Sequence, residues 1–295
     1  MNLVKNPFNK HYLLVWRTEF IFYTPQKRQL AGEWSHVRFT ALPQPNEPKL
    51  INSSLKKPLP FPDQSFDALY SFHVHEHLSL AAGAQFLKEA YRLLKPGAVC
   101  RVSTPDLEFF AADYLNQLQE YRQQPTKTQF QQYQWALFNV IDQSVRQQSG
   151  GAMLDAILTK DFVEEHLMYL NGDLLRALQD LPNPSLKQIL KNEIRYIDGS
   201  PTSPGFRLNA FFQIGLQKAI AKFRRPWHLH LSREKNRWIY DAVLLTRLFE
   251  QAGFRDVVVQ DYKTSGIEHW ERYNFDQSAY GDYPLEPSLY VEGRK

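Results

Sequence analysis

The residue types best suited to chemistry are concentrated in one short stretch, His73-Val74-His75-Glu76-His77, which sets three imidazoles and a carboxylate within five positions. An imidazole titrates near neutrality, so one of these histidines can take a proton from a hydroxyl or amine while a carboxylate fixes its tautomer. Alternate residues of a strand share a face, so His73, His75 and His77, or the second pair His228 and His230, could instead offer imidazoles to a metal ion. That alternation crosses from a strand into a turn, and no cysteine or ordered carboxylate cluster completes a ligand set, so no metal is expected. The plainer reading of Glu76 and His77 is that they open the following helix, where a carboxylate suits the positive end of the dipole.

Small basic clusters, Lys27-Arg28, Arg224-Arg225 and Arg233 to Arg237, lie near Trp227 and Trp238. They suit either an anionic ligand or a solvated face. The net charge of +4 is too mild to imply nucleic acid, and no nucleic-acid partner is expected. The single cysteine, Cys100, sits in the apolar run Ala98 to Val102 and reads as a small strand residue. One cysteine excludes an intrachain disulfide, which suits a reducing cytoplasm. No secretory pattern opens the sequence and no apolar run approaches the roughly 20 residues of a membrane span, so a soluble cytoplasmic protein is expected. Aromatic residues make up 14% of the chain, enough for extra core and lid packing or for an aromatic-lined pocket.

The elements that must position these residues alternate at both ends of the chain. Glu19 to Tyr23 reads as a strand ended by Pro25, His36 to Leu42 as a second, Lys49 to Asn52 as a third and Phe66 to Phe72 as a fourth. A helix follows from Ser79 to Leu94, with Phe86, Leu87, Ala90, Tyr91 and Leu94 on one face. Lys95-Pro96-Gly97 stops it, and Ala98 to Ser103 reads as a buried fifth strand. Residues 106–235 are mostly helical in pattern, and the stripe Phe206 to Phe223 reads as packing for that region. Order then returns with a helix over Tyr240 to Ala252 closed by Gly253, a strand at Val257 to Val259 and a last one at Ser288 to Glu292. This pattern predicts an α/β, Rossmann-like, doubly wound and mostly parallel sheet carrying a large helical insertion. Residues 1–105 form its first half, 106–235 the insertion or lid, and 236–295 the part that completes the sheet. The carboxyl end of the fourth strand would deliver His73 to the ligand crevice.

The run Leu59 to Leu78, LPFPDQSFDALYSFHVHEHL, resembles class I S-adenosylmethionine (SAM)-dependent methyltransferases of the type 11 kind, which carry LPFPDxSFDxVYSxHVLEHL. The resemblance continues through Phe86 to Gly97 (FLKEAYRLLKPG), Arg101 to Leu107 (RVSTPDL), Trp238 to Asp241 (WIYD) and Leu248 to Phe254 (LFEQAGF), and it ends at Leu289 to Glu292. It implies methyl transfer from SAM and says almost nothing of the substrate; the first reading takes a small molecule or a glycan-type acceptor. The resemblance places His73, Glu76 and His77 beside the reacting centre, with His73 as base or orienter. It implies strand-end residues Tyr23, Thr24, Asn52, Ser53, Ser71 and Phe72 toward the cofactor. Asp106, His228, His230, Trp238 and Tyr240 would face the substrate.

The sequence departs from the family in three places. No Gly-x-Gly follows the first strand candidate, no acidic residue closes the second, and Asn52-Ser53-Ser54 replaces the acidic residue after the third. Glycines there let the backbone approach the cofactor. The alternative is therefore a methyltransferase-fold protein that no longer uses SAM, either binding a partner protein as a scaffold or running another acid/base reaction in the same crevice.

Overall fold

The computed structural model describes residues 12–17, 34–39, 50–52, 58–145, 152–153, 156, 236–278, 284 and 287–295. Seven strands make one sheet: β1 (Tyr12–Arg17), β2 (Trp34–Phe39), β3 (Leu50–Asn52), β4 (Phe66–Phe72), β5 (Leu94–Pro105), β6 (Arg255–Gln260) and β7 (Ser288–Arg294). Their order is β3-β2-β1-β4-β5-β7-β6. Strands β1 to β5 pair in parallel, while β7 runs antiparallel to both β5 and β6. The order reverses between β1 and β4, the position where doubly wound sheets open a crevice outside the strands' carboxyl ends.

The first strand is a correction. The strand that pairs with β2 and β4 is Tyr12–Arg17, upstream of the Glu19 to Tyr23 run to which the pattern assigned it. In Tyr12-Leu13-Leu14-Val15-Trp16 the apolar residues are continuous and do not alternate, and Leu13 and Val15 are buried. Glu19 to Tyr23 lies outside the described residues. The fifth strand is also longer than expected: Leu94 already pairs with Phe66, and the register shifts before Val99 meets Ala68. That irregularity absorbs Lys95-Pro96-Gly97, with Gly97 left-handed at φ 80°.

Alternation along the central strands builds two cores. On one face Leu69, Cys100 and Val102 pack with Leu13 and Val15 beneath helices α1 (Leu80–Leu93) and α4 (Ala242–Ala252). Phe86, Leu87, Ala90 and Leu93 supply the apolar stripe of α1, and Leu245, Leu248 and Phe249 that of α4. Each such burial contributes about 1.5–3 kcal/mol. Ser79 caps α1, accepting from the Ala82 amide at 3.3 Å, and Asp241 caps α4, accepting from Leu244 at 2.7 Å. Gly253 ends α4 at φ 103°, where the Phe254 amide reaches the Phe249 carbonyl at 3.1 Å.

The other face is covered by the β6–β7 connection. Ile267, Trp270, Tyr273 and Phe275 lie over Ala68, Tyr70, Val99 and Trp34. A buried charge cluster ties this cover to the sheet. Arg101 donates to Asp276 at 2.8 and 3.0 Å, to Glu292 at 2.7 Å, and to the carbonyls of Thr264 and Asp261 at 2.9 and 2.7 Å. Its guanidinium lies over the Trp270 ring at 4.5 Å, and the Tyr70 hydroxyl donates to the other Asp276 oxygen.

The recognisable motif around Leu59 to Asp63 is structural at its start. Arg92 of α1 donates to the carbonyls of Phe61 and Leu59 at 3.0 and 3.2 Å and pairs with Asp63 at 2.5 Å. Glu89 accepts from the Leu59 amide at 2.7 Å, and hydrogen bonds from Arg92 hold its carboxyl below the usual range. Asp67 pairs with Lys95 at 2.8 Å. These contacts lace the loop before β4 to the helix after it.

Contacts divide the chain into two compact units, one of residues 1–113, 168–173 and 236–295, the other of 114–167 and 174–235. The second holds most of α2 (Leu107–Gln123) and all of α3 (Lys127–Val145). Tyr121 and Tyr133 stack at 6.1 Å between them, and Trp135 is buried. Pro125 separates the two helices, and Thr126 caps the second by accepting from the Gln129 amide at 3.2 Å.

Candidate active site

The site grows from the carboxyl end of β4. His73 follows the last strand residue in a left-handed conformation, φ 46°, which costs a non-glycine residue about 1–2 kcal/mol. Its amide still donates to the Ser103 carbonyl of β5 at 3.1 Å, so the chain turns without losing the ladder. His75–His77 then form one 3-10 turn, with the His77 amide on Val74 and the Leu78 amide on His75. The turn folds Glu76 back over His73.

The result is a buried imidazole–carboxylate couple. His73 Nδ1 lies 3.2 Å from Glu76 Oε1, and the two residues are each 2% exposed. The Thr104 hydroxyl donates to the other Glu76 oxygen at 3.3 Å, and His77 Nε2 stands 3.5 Å from the first. The Glu76 carbonyl accepts from the amides of Arg237 and Trp238 at 2.7 and 3.1 Å, which fastens the segment before α4 to the turn. An imidazole that donates to Glu76 from Nδ1 presents its lone pair at Nε2. That nitrogen meets Ser288 Oγ at 3.0 Å.

Ser288 carries no signal in the sequence, 215 positions from His73. Topology brings it there: β7 is antiparallel to β5, and Ser288 at its amino end is the register partner of Pro105 at the carboxyl end of β5. Thr104 arrives through the same strand. Sequence reasoning missed both residues.

The neighbouring histidine has a different fate. His75 is fully buried on the helix-covered face, its ring edge-on to Phe86 at 5.0 Å and to Tyr240 at 6.0 Å. Its Nδ1 lies 3.4 Å from Ser71 Oγ, and its Nε2 has no partner among the described residues. Burial pushes its pKa down to about 3, so it is neutral. Among the described residues no three His, Cys, Asp or Glu side chains gather into a group able to hold a metal.

The other expected residues fall in several places. Ser71 is fully buried and turned to His75, while Phe72 is half-buried with its ring 4.8 Å from that of His73. Tyr240 is fully buried beside Gly83, and burial raises its hydroxyl pKa. Asp106 bridges to Tyr240 and caps α2, accepting from the amides of Glu108 and Phe109 at 2.9 and 3.3 Å. Trp238 is exposed. Asn52 ends β3, its side chain outside the described set, and Tyr23, Thr24, Ser53, His228 and His230 lie outside the described residues.

Residues 27–102 match the family described as methyltransferase domain. A protein from Mycolicibacterium smegmatis named "Probable S-adenosylmethionine-dependent methyltransferase" is 50% identical over 48 residues, which are 16% of this chain and 18% of that relative's length. Among solved structures, a Thermotoga maritima SAM-dependent methyltransferase, described as a possible histamine N-methyltransferase, overlays at 12% identity and TM-score 0.36. It covers 97% of this chain and 82% of its own. A Haloferax volcanii putative methyltransferase complexed with the Trm112 activator overlays at 10% identity and TM-score 0.33, over 99% and 86% of the two chains. The matched segment, which includes the His73–His77 turn and ends within β5, is similar to SAM-dependent methyltransferases, and it lies on an α/β sheet whose order reverses between β1 and β4.

Proposed function

We propose that this protein transfers a methyl group from SAM to a small-molecule or glycan-type acceptor, with His73 taking the acceptor's proton. The observation that carries the reading is the buried His73–Glu76 couple at the carboxyl end of β4, next to the reversal of strand order. SAM, when bound, supplies an electrophilic methyl on a sulfonium. The chain's own work is alignment and proton removal. Glu76 holds the Nδ1 proton and orients the ring, Thr104 holds Glu76, and Nε2, which here meets Ser288 Oγ, takes the proton of a hydroxyl or amine that displaces that contact. His77 adds an imidazole to the same carboxylate. In this reading residues 106–235 are the substrate-facing insertion, Trp238 offers an exposed ring to the acceptor, and the protein works in the cytoplasm.

The residues fit the cofactor unevenly. With β1 ending at Arg17, positions 18–31 contain no glycine, and Gly32 stands just before β2. The start of the connection after β1 therefore lacks the residue that lets backbone come closest to a ligand. That observation favours a second reading, a methyltransferase fold that has given up SAM and serves a partner protein or another acid/base reaction.

Calorimetric titration of the full chain with SAM and with S-adenosylhomocysteine separates the two. Micromolar binding of either ligand supports methyl transfer. Silence at millimolar ligand removes it and leaves the second reading.

A further inference from the structure

We propose that Ser288, His73 and Glu76 form a nucleophile–base–carboxylate relay, and that Ser288 accepts acyl or phosphonyl groups from small activated esters. Two parts of the chain that are distant in sequence converge: the start of β7, and the turn of His73 to His77 that follows β4. Ser288 Oγ lies 3.0 Å from His73 Nε2, and His73 Nδ1 lies 3.2 Å from Glu76 Oε1. The order is hydroxyl, imidazole, carboxylate, each within hydrogen-bond reach of the next, which is the general test for an activated nucleophile.

Two further observations favour use over mere packing. His73 and Glu76 are both buried, so the base and its partner are shielded from water, whereas Ser288 is half-buried. His73 also stands in left-handed backbone, a conformation that only the surrounding contacts maintain and that aims its ring between Glu76 and Ser288.

In the acyl step, Ser288 Oγ bonds to the ester carbonyl carbon while its proton passes to His73 Nε2. Collapse of the adduct breaks the ester C–O bond, and the departing alkoxide takes the proton from His73. Water then attacks the acyl-Ser288, giving its proton to His73, and the serine oxygen leaves and is reprotonated. The sum is ester plus water to acid plus alcohol. The sequence needs no SAM, so it stands or falls separately from methyl transfer.

The test is phosphonylation of the full chain, without SAM, by an alkyl fluorophosphonate, read by intact mass and peptide mapping. A bond forms between Ser288 Oγ and phosphorus, fluoride leaves, and His73 takes the proton. The expected result is one adduct, on the Ser288 peptide, absent from Ser288→Ala. His73→Ala should slow labelling by roughly 100-fold or more. Glu76→Gln should slow it about tenfold and change its pH profile, as befits a positioning residue. No adduct, an adduct elsewhere, or wild-type labelling in His73→Ala overturns the proposal. Ser288→Cys gives a second route that does not depend on a buried variant folding. The native cysteine, Cys100, is buried and its thiol pKa is raised, so the new thiol alone should react with iodoacetamide. Alkylation of Cys at 288 no faster than that of a free thiol peptide would likewise overturn it.

Discussion

Replacing Arg101 by Met should remove the tie between the sheet and its β6–β7 cover. The guanidinium uses all its donors: twice on Asp276, once on Glu292 and once each on the carbonyls of Thr264 and Asp261. Asp276 is 1% exposed and Glu292 3% exposed, so neither can recover water when the cation is gone. Glu292 keeps the Gly266 amide at 2.7 Å and the Ser265 hydroxyl; Asp276 keeps Tyr70. Breaking a buried pair from one side costs about 3–5 kcal/mol, against a total of about 5–15 for a typical domain. Burial already raises the Asp276 pKa despite Arg101, so in the variant this carboxyl holds a proton that the unfolded chain releases. The loss should therefore grow as pH rises above the ordinary carboxylate range. Urea unfolding, followed by near-UV circular dichroism of the Trp270 cluster, measures it. Asp276→Asn in the Arg101→Met background should restore part of the loss, a non-additive pair. A loss under about 1 kcal/mol, or strict additivity, refutes the reasoning.

Four further variants follow the same logic. His75 is neutral in the fold with its pKa lowered to about 3, while the unfolded chain protonates near its ordinary 6.5. Its burial therefore stabilises fully above that value and loses about 1.4 kcal/mol per pH unit as pH falls toward 3; His75→Leu should flatten this part of the stability–pH curve, and an unchanged slope would contradict it. Gly83→Ala sets a Cβ 2.6 Å from the buried Tyr240 hydroxyl and should cost about 1–3 kcal/mol by thermal unfolding. Tyr240→Phe should be nearly neutral, because that hydroxyl has no partner among the described residues, and should relieve Gly83→Ala. Arg92→Met should lower stability by about 1–2 kcal/mol through loss of the Leu59 and Phe61 carbonyl contacts, while leaving SAM affinity unchanged in the same calorimetric assay.

Much of the fold was legible because its signals are local. The α1 stripe and the Gly253 stop rest on neighbours within a turn and lie where periodicity and punctuation placed them, while Ser79 and Asp241, read as helical, serve as the caps just outside. β1 was misread because its continuous apolar run shows no alternation, while Glu19 to Tyr23, bounded by Pro25, has the composition of a strand. The matched motif marked the His73–Glu76 turn, but not its partners. Thr104 and Ser288 reach the couple only through the parallel β4–β5 and antiparallel β5–β7 pairings, which no local pattern encodes. The Arg101 cluster was invisible for the same reason: Asp276 lies 175 positions away in an irregular segment. Motif residues also divide by task, since Glu89, Arg92, Asp67 and Lys95 fasten loops, whereas His73 and Glu76 form the couple.

Histidine-selective nitrogen NMR on the full chain, with and without S-adenosylhomocysteine, addresses most directly whether one crevice holds both the carboxylate-backed imidazole and the cofactor. The account predicts that His73 is protonated at Nδ1 and that its resonances move when the ligand saturates. A His73 protonated at Nε2, or signals untouched by saturating ligand, would contradict it.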